Sequence, residues 1–135
     1  MLVDSSVWVA FLRGAESGGA RVLAEALQAG GGVWLAPPIL QEVLQGADRP
    51  ERYAKWDRVL GELPMLEAPE QRAMARAAAR LYARCRWQGL TPRSANDCLI
   101  ASYALAHRMP LLHGDSDFAL IARAEPRLQL LAIDQ

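Results

Sequence analysis

Lysine is almost absent. Lys55 is the single lysine among 15 basic residues, and arginine supplies the rest. With the many alanines, we read this as genomic composition bias rather than mechanism. It still has a consequence. A phospho-receiver module also sets acids at strand ends, but it needs a lysine at the end of a late strand. Lys55 lies in a helical pattern, so that class fits poorly. Cysteine is scarce too. Cys85 and Cys98 have no metal-ligand spacing between them, so two free thiols in a reducing compartment are the simplest reading. No apolar run approaches the roughly 18 residues of a membrane helix. The opening MLVDSSVWVAF carries Asp4 and no basic leader. That makes a poor signal peptide, and a cytoplasmic location away from membranes is expected. The formal net charge is zero, so no global field draws in nucleic acid. Any such contact needs a local basic patch. Repeats, low-complexity segments and long linkers are missing as well, and 135 residues suit one domain, 1–135, around one core.

What is present is an alternation. Short apolar strand candidates lie at Met1–Val3, Val33–Ala36, Met65–Leu66, Pro110–His113 and Leu128–Ile133. Helical patterns lie between them at Ser6–Arg13, Ala20–Ala29, Pro38–Gln45, Arg52–Glu62, Glu70–Trp87, Ser94–His107 and Phe118–Ala124. The clearest is Arg52–Glu62, where Tyr53, Trp56, Val59, Leu60 and Leu63 fall on one face. Strands alternating with helices predict an α/β fold, with a mostly parallel sheet and helices on both faces. In such sheets, ligands bind beyond the carboxyl ends of the strands.

Acids sit at those ends. Asp4 follows the first strand, and Asp115 and Asp117 follow the fourth in "LLHGDSD". Glu42 lies in the helix after the second strand, and Asp97 lies one turn into "SANDCLIASYALA". Each has a plain explanation on its own. Asp4 and Asp115 suit helix caps, Asp97 suits a first turn, and Glu42 suits a solvated helix face. Together they converge on one rim, from elements that must be partly buried. Carboxylates so placed repel one another, and burial raises their pKa values. A cation makes the cluster tolerable. An oxygen-only ligand set favours Mg²⁺ or Mn²⁺ over zinc. Such a site has the parts for metal-assisted phosphodiester hydrolysis. A phosphatase with a nucleophilic aspartate would want a second aspartate two residues after Asp4, where Ser6 stands.

Four segments in order, "LVDSSVWVAFL", "LAPPILQEVLQG", "GLTPRSANDCLIASYALAH" and "MPLLHGDSDFALIA", make the chain resemble PIN-domain ribonucleases. Within that family it resembles the VapC-type toxins of type II toxin–antitoxin pairs. The resemblance spans essentially the whole chain. It implies a three-layer fold with a central sheet of four or five parallel strands and the first strand in the middle. It implies a Mg²⁺- or Mn²⁺-dependent endoribonuclease, usually a homodimer, neutralised by a small VapB-type antitoxin. Carried over residue by residue, Asp4, Glu42, Asp97 and Asp115 match the four core catalytic acids. Asp117 matches a more variable fifth. Asp4, Asp97, Asp115 and Asp117 then hold metal, and Ser6 orients carboxylates. Ser5 stands where relatives often have threonine. The rival readings are a PIN-domain RNA-processing nuclease that is not a toxin, and a catalytically weak scaffold binding RNA or protein. The full acid set argues against the scaffold.

Arg72, Arg76, Arg80 and Arg84 form a slanted stripe on the long helix, read either as a solvated face or as an RNA-backbone contact. Arg86, Arg93 and Arg84 are the RNA-binding candidates; Arg86 and Arg93 lie nearer Asp97 in sequence and are the better two for phosphate. His113 is read as structural, and His107 as complementing a helix dipole. Trp8, Trp34, Trp56 and Trp87 are read as core or interface anchors.

Overall fold

Both faces of the sheet must be covered, because adjacent strand residues point to opposite sides and all of them are apolar. Leu2 and Val3 form β1, Leu111 and Leu112 form β2, and Leu130 and Leu131 form β3. The side chains of β1 and β2 are fully buried, which only helices on both faces can achieve. The computed structural model describes residues 1–131 and 133.

The three strands are parallel, in the order β1–β2–β3, with Leu2 opposite Leu111 and Leu111 opposite Leu130. On the other side of β1, single parallel bridges join Leu2 to Trp34 and Leu35 to Met65. The ladder therefore spans five parallel segments with β1 in the middle. The segments expected as strands at Val33–Ala36 and Met65–Leu66 are reduced to these bridges. Proline accounts for much of the brevity. Pro37 has no N–H to extend the ladder and opens a helix at once. Pro64 and Pro110 can only accept, taking bonds from Leu35 and Leu2. Of the expected last strand, Leu130–Leu131 pairs, and Ala132 lies outside the described residues.

The helices are α1 (Ser5–Leu12), α2 (Gly18–Gln28), α3 (Pro37–Gln45), α4 (Pro50–Gly61), α5 (Gln71–Trp87), α6 (Ala95–Ala106) and α7 (Ser116–Ala124). Their starts are written locally. Asp4, Ser17, Glu70, Ser94 and Asp115 each accept a backbone N–H as an N-cap. Proline occupies the first turn of α3 and α4. Helices α2, α4 and α7 begin two residues earlier than expected, because cap and proline set a start ahead of the first periodic apolar residue. No helix among the described residues is long and apolar enough to cross a membrane.

Helices α5, α6 and α7 pack against one another, as do α1 with α2 and α3, and α3 with α4. Cys85 of α5 and Cys98 of α6 meet in the core as free thiols. Burial pushes Cys98 up to about 12 and raises Cys85 as well, so both stay protonated and inert. Trp8 and Trp56 are core side chains, whereas Trp87 is 77% exposed and is no core anchor.

Phe118 joins the fold to the acids. It is fully buried in the first turn of α7, and its ring lies 5.7 Å from that of His113. Phe118→Ala is expected to cost about 3–5 kcal/mol, as for other buried aromatic truncations, read by urea unfolding. A loss below about 1 kcal/mol would mean that α7 is held by other contacts.

Candidate active site

The parallel ladder fixes where the acids come together. Asp4 continues β1, and its N–H donates to Leu112 O at 2.9 Å. The loops after β1 and β2 therefore leave the sheet side by side. A Cβ at Gly114 would stand 3.5 Å from Ser6 Oγ, so the two loops touch. Asp4 and Asp115 each follow a strand closely and cap the next helix. Capping holds each carboxylate at the rim.

One group is tight. Asp97, Asp115 and Asp117 each present an oxygen within 4.8 Å of the others. Asp115 Oδ1 accepts from Asp117 N at 2.9 Å and from Arg93 Nη2 at 3.0 Å. Asp117 Oδ2 accepts from Arg93 N at 2.9 Å and Arg93 Nε at 3.4 Å. A second group stands beside it. Ser6 Oγ donates to Asp4 Oδ2. Ser5 Oγ lies 3.3 Å from Asp4 Oδ1 and 3.0 Å from Glu42 Oε1, and so ties α3 to the end of β1. Asp4 and Glu42 are outside the tight trio.

Asp97 links the two groups. It is 6% exposed and, among the described residues, its carboxylate receives no hydrogen bond from any side chain or backbone donor. Its place in the first turn of α6 favours a negative charge. Its carboxyl is nevertheless pushed up to about 7, first by burial and then by the charges of Asp4, Asp115, Glu42 and Asp117. A buried carboxylate without a donor, surrounded by four others, fits a hard divalent cation with oxygen ligands. Among the described residues, the oxygens of this trio that accept no hydrogen bond are both of Asp97, Asp115 Oδ2 and Asp117 Oδ1.

The structure divides the residues expected to meet RNA. Arg93 lies over the acids and is committed to Asp115 and Asp117. Arg84 turns to the opposite end of α7, where it binds Glu125 at 3.4 Å and the Ala124 carbonyl. Nine residues of helix separate that point from Asp115, about 13 Å at 1.5 Å per residue. Glu125 is also bonded by Arg127, which with Arg84 holds its carboxyl down at about 2. Arg84 and Arg80 line a groove of about 830 Å³ there with Arg108 and Arg127. Arg86 is exposed and forms no ion pair among the described residues. His113 Nδ1 donates to the Asp115 carbonyl at 2.9 Å and braces the loop. His107 caps the end of α6 and reaches the Glu67 carbonyl.

Sequence reasoning assigns Ser5 no role and reads Arg93 as a phosphate contact, without its bonds to Asp115 and Asp117. The bridge made by Ser5 depends on where α3 places Glu42, 37 residues away, and no local pattern carries that. Arg93 offers a signal in its place one residue before the Ser94 cap and four before Asp97.

This fold and rim have known relatives. A family model described as the PIN domain matches residues 1–124. Ribonuclease VapC11 of Mycobacterium tuberculosis is 36% identical over 127 residues, covering 91% of this chain and 92% of that protein. A VapC ribonuclease of Mycobacterium bovis matches to the same extent. The structure of VapBC2 from Rickettsia felis bound to a DNA fragment from their promoter superposes with a TM-score of 0.73, at 21% identity over 98% of each chain. FitAcB from Neisseria gonorrhoeae gives 0.68 at 16% identity, over 97% of this chain and 96% of that one. At those identities the two structures speak for the fold alone. The chain belongs to the PIN-domain family.

The raised Asp97 carboxyl has a measurable consequence. Folded, it keeps its proton up to about 7; its ordinary value is 3.8. Between those values the folded state binds the extra proton, so metal-free protein loses stability as pH rises through the window. Asp97→Asn removes the penalty. In EDTA the variant is expected to melt about 4 °C or more above wild type at pH 8, with the gap closing near pH 4. A gap that ignores pH would contradict the charge account.

Proposed function

We propose that the chain is a Mg²⁺- or Mn²⁺-dependent endoribonuclease of the VapC type, acting as a toxin that a small VapB-type antitoxin neutralises. The observation that carries this reading is Asp97, a buried carboxylate without a donor at the meeting point of four other acids. The PIN-domain match and the relatives named ribonuclease support the chemistry. The partner is carried over from the VapC type of the relatives; the Rickettsia felis structure is that of a VapBC pair with the same fold. A homodimer follows from the same resemblance.

In this scheme Asp97, Asp115 and Asp117 would hold the ion, and Asp4, whose carboxylate Ser5 and Ser6 fix, would complete the set. A bound divalent ion supplies Lewis acidity and lowers the pKa of water. Glu42, held by Ser5, orients the attacking water and takes its proton. Ser6 fixes the rotamer of Asp4. The water oxygen bonds to phosphorus, the bond from phosphorus to the 3′ oxygen breaks, and that oxygen leaves with a proton. The products are a 5′-phosphate and a 3′-hydroxyl. No 2′-hydroxyl takes part. Arg86, exposed and without an ion pair among the described residues, is the candidate for the RNA backbone in this scheme.

The test is purified protein on RNA, with and without EDTA, beside Asp97→Asn, with the cut ends mapped. Losing a metal ligand removes several kcal/mol of transition-state stabilisation, so the variant is expected to cleave about 100-fold more slowly or worse. EDTA should abolish cleavage by wild type. Induced expression should arrest growth for wild type alone, and co-expression of the antitoxin should lift the arrest. A 2′,3′-cyclic phosphate product, or equal cleavage by both proteins, would overturn the scheme. Metal-dependent cleavage without growth arrest would favour a processing nuclease over a toxin.

A further inference from the structure

Among the described residues, Arg93 is the one arginine whose side chain pairs with two different carboxylates. Its backbone N–H and its Nε both reach Asp117 Oδ2, while Nη2 reaches Asp115 Oδ1. The guanidinium therefore spans two members of the tight acidic trio. Its own side chain is 74% exposed, so it lies across the outer side of the site and faces solvent. Two of its three bonds come from the side chain. The third comes from the backbone and survives any substitution that keeps the N–H. Asp115 is also held by its capping bond from Asp117 N. The positions of the two carboxylates therefore do not rest on the guanidinium alone, but their charge balance does.

We propose that Arg93 is a built-in counter-cation of the metal-free site. It offsets the repulsion between Asp115 and Asp117 and must release Asp115 when a divalent ion binds, which turns the guanidinium toward an arriving RNA phosphate. This rests on the metal-dependent nuclease reading given above. The physical reason is that two cations share the same carboxylates. An ion seated between Asp97 and Asp115 stands within a few ångströms of the guanidinium, and like charges at that range repel even when water screens them. An ion held by Asp97 and Asp115 would draw the Asp115 charge inward and weaken the bond from Nη2 to Oδ1. The backbone bond to Asp117 stays and keeps Arg93 anchored at the mouth of the site. A planar fork facing outward there suits a phosphate. Arg93 is thus a positioning residue for the metal site, and loading of the metal sets which way it faces.

The test is Mn²⁺ binding by full-length wild type, Arg93→Ala and Arg93→Lys, measured by electron paramagnetic resonance titration, with metal-free melting followed alongside. Removing one positive charge near the ion is expected to tighten Mn²⁺ binding about tenfold. The metal-free Arg93→Ala protein is expected to melt lower than wild type and to gain more from Mn²⁺. Arg93→Lys keeps the charge without the fork and should fall between the two on both readouts. Arg93 is exposed, so neither substitution opens the core. Mn²⁺ binding by Arg93→Ala that is unchanged or weaker than wild type overturns the counter-cation role and leaves the nuclease reading standing. Wild type that binds no Mn²⁺ overturns both.

Discussion

Mutual repulsion among carboxylates at the ends of the parallel strands is the constraint on which this molecule turns. Five acids approach one rim, and three of them put oxygens within 4.8 Å of one another. Solvent offers the innermost of them little relief, because Asp97 is only 6% exposed. The chain offsets the repulsion with ordinary devices. Serine hydroxyls bond Asp4 and Glu42, backbone N–H groups bond Asp4, Asp115 and Asp117, and a guanidinium lies across the last two. Among the described residues Asp97 alone of the five is left without a donor, and that is the place where a cation has most to offer.

The fold answers the constraint economically. Strands of two residues suffice because each of the first two hands over within a few residues to a capped helix, so strand end, cap and rim carboxylate nearly coincide. Asp4 and Asp115 show this most clearly. Each accepts a backbone N–H at the start of a helix; Asp115 bonds through Oδ1 alone, whereas both oxygens of Asp4 are held by Ser5 and Ser6. At Asp115 the capping bond leaves Oδ2 without a hydrogen bond among the described residues, so capping does not exclude a cation. His113 and Phe118 then lock the second loop to the core.

Much of this is legible in the amino-acid sequence. The alternation of apolar strands and helices indicates the α/β class, and Asp4, Asp97 and Asp115 are readable because strand ends and first helical turns are local features. Asp117 is readable for the same reason, two residues after a cap. What stays hidden depends on distance in sequence. Ser5 meets Glu42 across 37 residues, and Arg93 meets Asp115 and Asp117 across 22 and 24. Arg84 belongs to a basic stripe by spacing, yet the far end of α7 claims it. Trp87 resembles the core tryptophans in type alone, because composition does not say which side of an amphipathic helix meets solvent. The strands are shorter than their apolar runs for a physical reason: burial selects apolar residues over a longer stretch than the ladder pairs.

The most direct measurement is a crystal of the protein soaked in Mn²⁺, with the anomalous signal mapped. The account requires a Mn²⁺ peak at coordinating distance from an oxygen of Asp97 and from at least one oxygen of Asp115 or Asp4, with the contact from Arg93 to Asp115 lengthened. Anomalous density only at outlying surface carboxylates, with Asp97 still lacking a partner, would contradict it.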